Sequence, residues 1–369
     1  MDNWIENDIC TGCSACANSC PEGAIEMICD KYGFKHPIID QEKCIDCQLC
    51  VKTCPIVEKK ESNNYEHPKV YAAWSLDQET RYNSTSGGVF SEFARYILSQ
   101  NGLIVGAVYN KDNMVNHSII GDENGLKRAR QSKYLESEIG KIFIDIKKEL
   151  NKGLKVGFCG SPCQVSGLLK YLKKSYDNLY TFDFICRGAN SPKAYSKWLE
   201  YLEKKYKSRV KKVWFKNKEK GWNKFSTRID FENGRIYRKD RYHDLYMRGY
   251  LEKNLYIRPS CARCNFKGLP RESDITLADF WGIEKSLDCD MGTSMIIVNN
   301  EKGMSLINKI SSNIYYTERN LAEALKGNSM LDKSVWISKF SHKFLESLDF
   351  YRFDKAFKAI VKEIDKLKN

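Results

Sequence analysis

Apolar positions along this chain come in short runs, and most runs are followed by a segment with helical spacing. Val70–Trp74 reads as a strand. Val89, Phe90, Phe93, Ala94, Ile97 and Leu98 then recur every three or four residues, the stripe of an amphipathic helix. Asn101-Gly102 closes that helix, and Leu103–Tyr109 follows as a buried strand. Leu154–Phe158 is another strand, running through Cys159–Gln164 into a helix that carries Val165, Leu168, Leu169 and Leu172. Leu179–Ile185 repeats this unit, ending in Cys186-Arg187-Gly188 and a helix Pro192–Tyr206 opened by Ser191-Pro192. Val213–Phe215, Phe225–Phe231 and Arg235–Tyr237 predict an antiparallel excursion that turns at Asn233-Gly234. Asp274–Ala278 and Met295–Val298 supply further strands, and a lysine-rich tail from Lys302 reads as helical. The expected fold class is α+β or mixed α/β.

The N-terminal stretch follows a different rule. Cys10, Cys13, Cys16 and Cys20 precede Pro21, and Cys44, Cys47, Cys50 and Cys54 precede Pro55. Both runs have the C-x2-C-x2-C-x3-C-P spacing of bacterial ferredoxins, in which the fourth cysteine ligates the other cluster. Cys10, Cys13, Cys16 and Cys54 are therefore assigned to one [4Fe–4S] cluster, and Cys44, Cys47, Cys50 and Cys20 to a second. Zinc favours paired CxxC units over this triple step, and a disulfide framework suits a secreted mini-protein. Ala24–Met27 and Phe34–Ile39 lie between the runs as paired strands, and Cys29, outside both, is expected to be a buried apolar residue. The chain divides into a ferredoxin module (1–57), a linker (58–68), two body segments (69–150 and 151–310) and a helical tail (311–369).

Composition narrows the class. With 369 residues, 42% hydrophobic and 29% charged, the chain suits two or three well-filled domains. No apolar run reaches the length of a membrane span, and the start lacks the basic-then-apolar pattern of a signal peptide. Fifteen cysteines without an export signal point to the reducing cytoplasm. The net charge of +13 treats thiols as neutral, whereas each oxidised [4Fe–4S] cube with four thiolates carries about −2. The lysines are spread along helix faces, as at Lys147, Lys148, Lys170 and Lys173, which argues against nucleic acid as a partner.

Two features of the body carry candidate chemistry. Asn83-Ser-Thr-Ser-Gly-Gly88 places small residues and backbone N–H groups at a helix N-terminus, which suits a phosphate or equally an ordinary N-cap. Cys163, Cys186, Cys261 and Cys264 sit after strands or in a short CxxC. They are either one more cluster or buried thiols with a zinc-binding pair.

Seven blocks in order now carry a resemblance: Ser84-Thr-Ser-Gly-Gly-Val-Phe90, Ser132-Lys-Tyr134, Gly160-Ser-Pro-Cys-Gln164, Cys186-Arg-Gly188, Arg258-Pro-Ser-Cys-Ala-Arg-Cys264, Asp274-Ile-Thr-Leu-Ala-Asp-Phe-Trp-Gly282 and Gly292-Thr-Ser294. From about Val70 to Asn300 the chain resembles the superfamily of coenzyme F-420 hydrogenase/dehydrogenase beta subunits, which includes 7-hydroxymethyl chlorophyll a reductase. The resemblance implies a mixed-sheet body with non-covalent FAD beside a third [4Fe–4S] cluster held by Cys163, Cys186, Cys261 and Cys264. It implies flavin contacts from Ser84, Thr85, Ser86, Gly87, Gly88, Lys133, Tyr134, Gly160, Ser161, Pro162, Gln164, Asp279 and Phe280. Arg187 and Lys133 are the implied catalytic groups. The family usually has His at the position of Arg187 and Gly at that of Ala278, and arginine, a fixed cation, cannot relay a proton as histidine does. The expected function is a ferredoxin-linked, FAD-dependent oxidoreductase reducing a small organic substrate. The alternatives are an electron-transfer subunit serving a partner, or a deazaflavin oxidoreductase. Cys159 and Cys289 receive no role.

Overall fold

A computed structural model describes residues 4–58 and 62–367; residues 59–61 of the expected linker lie outside the described residues. The N-terminal module is built twice over. Helices Ala15–Ser19 and Leu49–Thr53 each follow a residue in left-handed conformation, Ser14 and Gln48, and each carries the third cysteine of its run. The fourth cysteines, Cys20 and Cys54, are the C-caps, and the prolines after them cannot continue a helix. Strands β1 (Ile25–Cys29) and β2 (Lys35–Ile39) pair antiparallel with Ile25 opposite Ile39. Cys29 corrects the expectation of burial: it shares the face of Ile25 and Met27 but stands at the far end of β1, beyond the cluster in which those two pack, and is exposed.

The body holds β3 (Lys69–Ser75), β4 (Leu103–Tyr109), β5 (Val115–Ile120), β6 (Val156–Cys159), β7 (Leu179–Phe184), β8 (Val210–Asn217), β9 (Ser226–Phe231), β10 (Ile236–Asp240), β11 (Ile275–Asp279), β12 (Ser294–Val298) and β13 (Ile314–Arg319). Eight form one mixed sheet in the order β13-β3-β12-β11-β7-β6-β4-β5, while β10-β9-β8 make a separate antiparallel sheet. Strands β4, β6, β7 and β11 are mutually parallel, and β12 and β13 flank β3 antiparallel. The parallel strands are apolar on both faces because helices cover both. Val89–Ser99 and Glu301–Ile310 pack Phe93, Ile97, Leu306 and Ile307 against Ile104, Phe182 and Ile275. Ile142–Asn151 and Pro162–Leu172 pack Phe143, Ile146, Val165 and Leu168 against Val105, Val156 and Phe158 on the other side. The second sheet, with its turn at Gly234 (φ +80°), shares an aromatic core with helices Pro192–Tyr206 and Phe353–Lys366.

The tail is not wholly helical. After Glu301–Ile310 it supplies β13, whose Ile314-Tyr-Tyr-Thr sequence is β-branched and aromatic, as strands prefer. That strand pairs with β3, so one sheet draws on residues 69–150, 151–310 and the start of the tail.

One side chain ties the module to the body. Arg258, 1% exposed, donates from Nη1 to the Cys10 carbonyl (2.8 Å) and from Nη2 to the Lys35 carbonyl (2.7 Å). Its Nε and Nη2 also grip both oxygens of Glu136 at 2.9 Å, and its face lies 5.1 Å from the Phe34 ring. Around it, Ser191 donates to the Tyr32 carbonyl (2.6 Å) and Asn18 to the Gly140 carbonyl (2.8 Å). Removing one partner of such a buried pair strands the other charge at a cost of about 3–5 kcal/mol. Arg258→Met is therefore expected to weaken docking by that order, read as faster amide hydrogen exchange across residues 9–36 while the body sheet stays protected. Adding Glu136→Leu should recover part of the loss. Unchanged exchange in Arg258→Met would remove this arginine as the anchor.

Candidate cofactor site

Strands β3, β4, β6, β7 and β11 run in one direction, so their carboxyl ends share an edge of the sheet, where α/β folds build ligand sites. The Ser84–Gly88 turn follows β3, Cys163 follows β6, Cys186 follows β7 and Asp279 ends β11. These four segments therefore reach the same edge from distant parts of the chain.

The cysteines fall into three sets. Burial raises the Cys13 thiol to about 12, with Cys54 and Cys10 adding their charge, and raises Cys16 with help from Cys13, Cys10 and Cys54. A cavity in the module is lined by Cys20, Cys44, Cys47 and Cys50, with Pro21, Ile25 and Ile39; Cys47 is exposed. Both sets combine three cysteines of one run with the fourth of the other. In the body, burial raises Cys163, Cys186 and Cys261, and each also feels the charge of others in that set, Cys264 included. The Ala189 N–H points at Cys261 Sγ (3.4 Å), and a Cβ on Gly188 would lie 3.3 Å from Cys261 Cβ. Lys267, bonded to the Cys186 carbonyl, Arg271 and Arg258 bring positive charge to this set. That donor set and its cations fit an anionic thiolate cluster. Among the described residues no three His, Cys, Asp or Glu side chains are arranged to hold a single metal ion.

The Ser/Gly turn is held from within. Gly87 N–H donates to Ser294 Oγ (2.9 Å), Ser86 Oγ to the Thr293 carbonyl (2.7 Å), and Thr85 Oγ1 accepts from Ser132 N–H (2.6 Å). Ser84 is buried, and Gly88 (φ +84°) caps the helix Val89–Ser99. In the next loop Ser161 N–H donates to Gln164 Oε1 (2.9 Å), Pro162 opens the helix, and Gln164 Nε2 donates to the Ser137 carbonyl (3.1 Å). A side chain on Gly160 would meet the Phe158 ring at 2.9 Å. Lys133 is half-buried, desolvation pulls its pKa down to about 7, and its Nζ donates to the Ala129, Arg130 and Gln131 carbonyls. All three protons of its ammonium cap the end of helix Glu123–Ala129.

Two models described as Coenzyme F420 hydrogenase/dehydrogenase, beta subunit, match the body: the N-terminal one over residues 70–143 and the C-terminal one over residues 153–324. The chain belongs to the family of coenzyme F420 hydrogenase/dehydrogenase beta subunits. Residues 9–56 match the 4Fe-4S dicluster domain. The coenzyme F420-dependent sulfite reductase of Methanocaldococcus jannaschii is 25% identical over 324 residues, covering 84% of this chain and 47% of that protein. The F subunit of the F(420)H(2) dehydrogenase of Methanosarcina mazei is 24% identical over 170 residues, 43% of this chain and 47% of that protein. The chain thus spans less than half the length of these curated relatives. A solved chain from the F420-reducing [NiFe] hydrogenase complex of Methanosarcina barkeri covers 83% of this chain and 95% of its own, at 16% identity and a TM-score of 0.48. Among the described residues of this family member, no helix is long and apolar enough to cross a membrane.

Arg187 donates through Nη2 to Asn254 Oδ1 (2.6 Å) and the Leu251 carbonyl (3.1 Å). It thus caps the helix Leu245–Leu251, and its buried Nε is without a partner. Tyr134 packs its ring against Phe215 and Tyr250, and its carbonyl accepts from Asn190 and Tyr246. Phe280 is wholly buried in the core beside Val70 and Ile297. Asp279 pairs with Lys216 on β8, while its Oδ1 is buried without a partner. Sequence reasoning missed Lys216, Lys218 and Arg81. The signal was in Trp214-Phe-Lys-Asn-Lys218, two lysines two residues apart, Lys216 in the buried end of β8 and Lys218 just beyond it.

A Cβ on Gly87 would fall 2.5 Å from the Ala73 carbonyl and 2.8 Å from Ser294 N, both backbone atoms of the sheet. Gly87→Ala is therefore expected to destabilise the body by about 1–3 kcal/mol, the usual cost of overpacking. The check is the urea midpoint; a midpoint equal to that of the parent would mean that the turn opens into free space.

Proposed function

We propose that the chain is a cytoplasmic iron–sulfur flavoprotein oxidoreductase that passes electrons between a low-potential donor of ferredoxin type and a small organic substrate. Three [4Fe–4S] clusters would be held by Cys20, Cys44, Cys47 and Cys50, by Cys10, Cys13, Cys16 and Cys54, and by Cys163, Cys186, Cys261 and Cys264. FAD would lie non-covalently at the carboxyl edge. When bound, such groups supply one-electron steps that a flavin joins into a two-electron transfer.

One observation carries this reading: Cys13 of the module meets the helix that bears Cys163. A Cβ on Gly167 of that helix would lie 3.0 Å from Cys13 Sγ, and the charge of Cys13 reaches Cys163. The thiol sets thus form a series from exposed Cys47, through the buried set, to the sheet edge. The chain's own work is positional: Arg258 clamps the module, and Lys267 and Arg271 offset the charge of four thiolates.

The coverage of the relatives supports a second reading, in which the chain is an electron-transfer module serving a partner domain or subunit, with coenzyme F420 as one reactant. Relatives of about twice the length carry that coenzyme in their names.

Anaerobically purified protein should contain about twelve irons per chain and release FAD on denaturation. Cys261→Ser with Cys264→Ser should remove about a third of the iron and leave the module's signals intact. Iron near eight with zinc in its place would overturn the third cluster. Turnover of an organic acceptor by the single chain separates the first reading from the second, which requires an added partner.

A further inference from the structure

Beside the Ser/Gly turn, three basic side chains are shut into the protein. Arg81, Lys216 and Lys218 are 3%, 6% and 3% exposed; Asp279, largely buried, pairs with Lys216, and its charge also reaches Lys218. The groups that face Arg81 from the surface side are the Cys289 thiol and Asp288, which accepts from Asn223 (2.8 Å). Lys218 is committed: its Nζ donates to the Arg81, Ser86 and Met291 carbonyls at 2.6–2.8 Å and so fixes the loops. Arg81 is not. Its Nε donates to the Gly292 carbonyl (2.9 Å) and its plane lies 4.5 Å from the Trp74 ring, but Nη2 is buried with no acceptor. Across the site, Asp279 Oδ2 takes Lys216, and Oδ1 is buried with no donor. An unpaired buried guanidinium donor is costly, and so is an unpaired carboxylate oxygen. Both costs vanish if one ligand supplies an anionic acceptor to Arg81 and a donor to Asp279.

We propose that Arg81 and the Lys216–Asp279 pair form an anion-binding site at the carboxyl edge of the sheet, for a phosphoryl or carboxylate group. Its source is either the pyrophosphate of the flavin dinucleotide or the acid group of the substrate, and in this it rests on the flavoprotein reading above. The backbone amide of Gly87 is already committed to Ser294. Side chains, rather than the turn's own amide at Gly87, therefore recognise the anion. Lys218 is a positioning residue that shapes the loops around it.

The test is a titration of flavin-stripped whole protein with FAD, riboflavin and inorganic pyrophosphate, followed by tryptophan fluorescence and flavin absorbance. If the dinucleotide supplies the anion, Arg81→Gln and Lys216→Gln each weaken FAD about tenfold or more, the size of effect of a charge-assisted hydrogen bond. Riboflavin, which lacks phosphate, then binds as to the parent protein, and pyrophosphate competes with FAD. If the substrate supplies it, FAD affinity is unchanged in the variants. Pyrophosphate then binds the flavin-loaded protein saturably, and about tenfold more weakly after Arg81→Gln. Parent-like binding of all three probes by both variants, at parent melting temperatures, would falsify the site. A protein that takes up no flavin yet binds pyrophosphate through Arg81 keeps the site and loses the flavoprotein reading. If Arg81→Gln does not fold, Arg81→Lys, which keeps the charge and loses the planar fork, carries the same comparison with Lys216→Gln.

Discussion

The seating of the cysteine-rich module on the body turns on a buried arginine. Arg258 reaches from the body to the carbonyl of Cys10, a residue of the first cysteine run, and to that of Lys35 in β2. Its charge is balanced by Glu136, two residues beyond Tyr134. Three residues on from Arg258 stands Cys261, so one short segment both clamps the module and contributes a thiol to the third set. The pair holds the module's cysteines to the helix that carries Cys163. Such pairs are poor sources of net stability but strong enforcers of a particular arrangement when breaking them strands a charge.

The same device recurs along the carboxyl edge. Arg271 lies against Asp183 at 2.9 Å, both nearly inaccessible, beneath the loop that ends in Cys186. Lys216 lies against Asp279, and Lys218 fastens the turn. The edge is thus rich in buried cations. Such an edge fits the anionic thiolate clusters and the phosphate-bearing cofactor proposed above.

Part of this was legible in the chain. Both cysteine runs stood out by their spacing and fall within the matched dicluster domain, because such spacing is local and chemically specific; the exchange of Cys54 and Cys20 between the sets belongs to the proposal. Helix Pro192–Tyr206 appeared with the bounds expected, since its cap and apolar stripe are local too. What escaped was set by tertiary contacts. Cys29 ends up exposed because it stands at the end of β1, beyond the cluster around Ile25 and Met27, and β13 was lost in a tail whose lysines suggested helix. Lys133, Gln164 and Arg187 stood in motif blocks, yet each makes hydrogen bonds that cap or hold nearby backbone. Arg81 and Lys216 belong to no motif block, and only the folded chain reveals their burial.

The placement of β3 has a consequence for how the molecule comes into being. This first strand of the body lies between β12 and β13, which the chain supplies only near its far end. Closing so long a loop is slow and must wait for synthesis of those residues. The eight cysteines of the two runs, by contrast, all lie within residues 10–54. It follows that the N-terminal segment emerges from the ribosome with both cysteine runs complete while the body is still an open sheet. Order of birth thereby matches order along the proposed thiol series: the outermost sets are complete first, and the set at the sheet edge, gathered from three distant segments, is complete last.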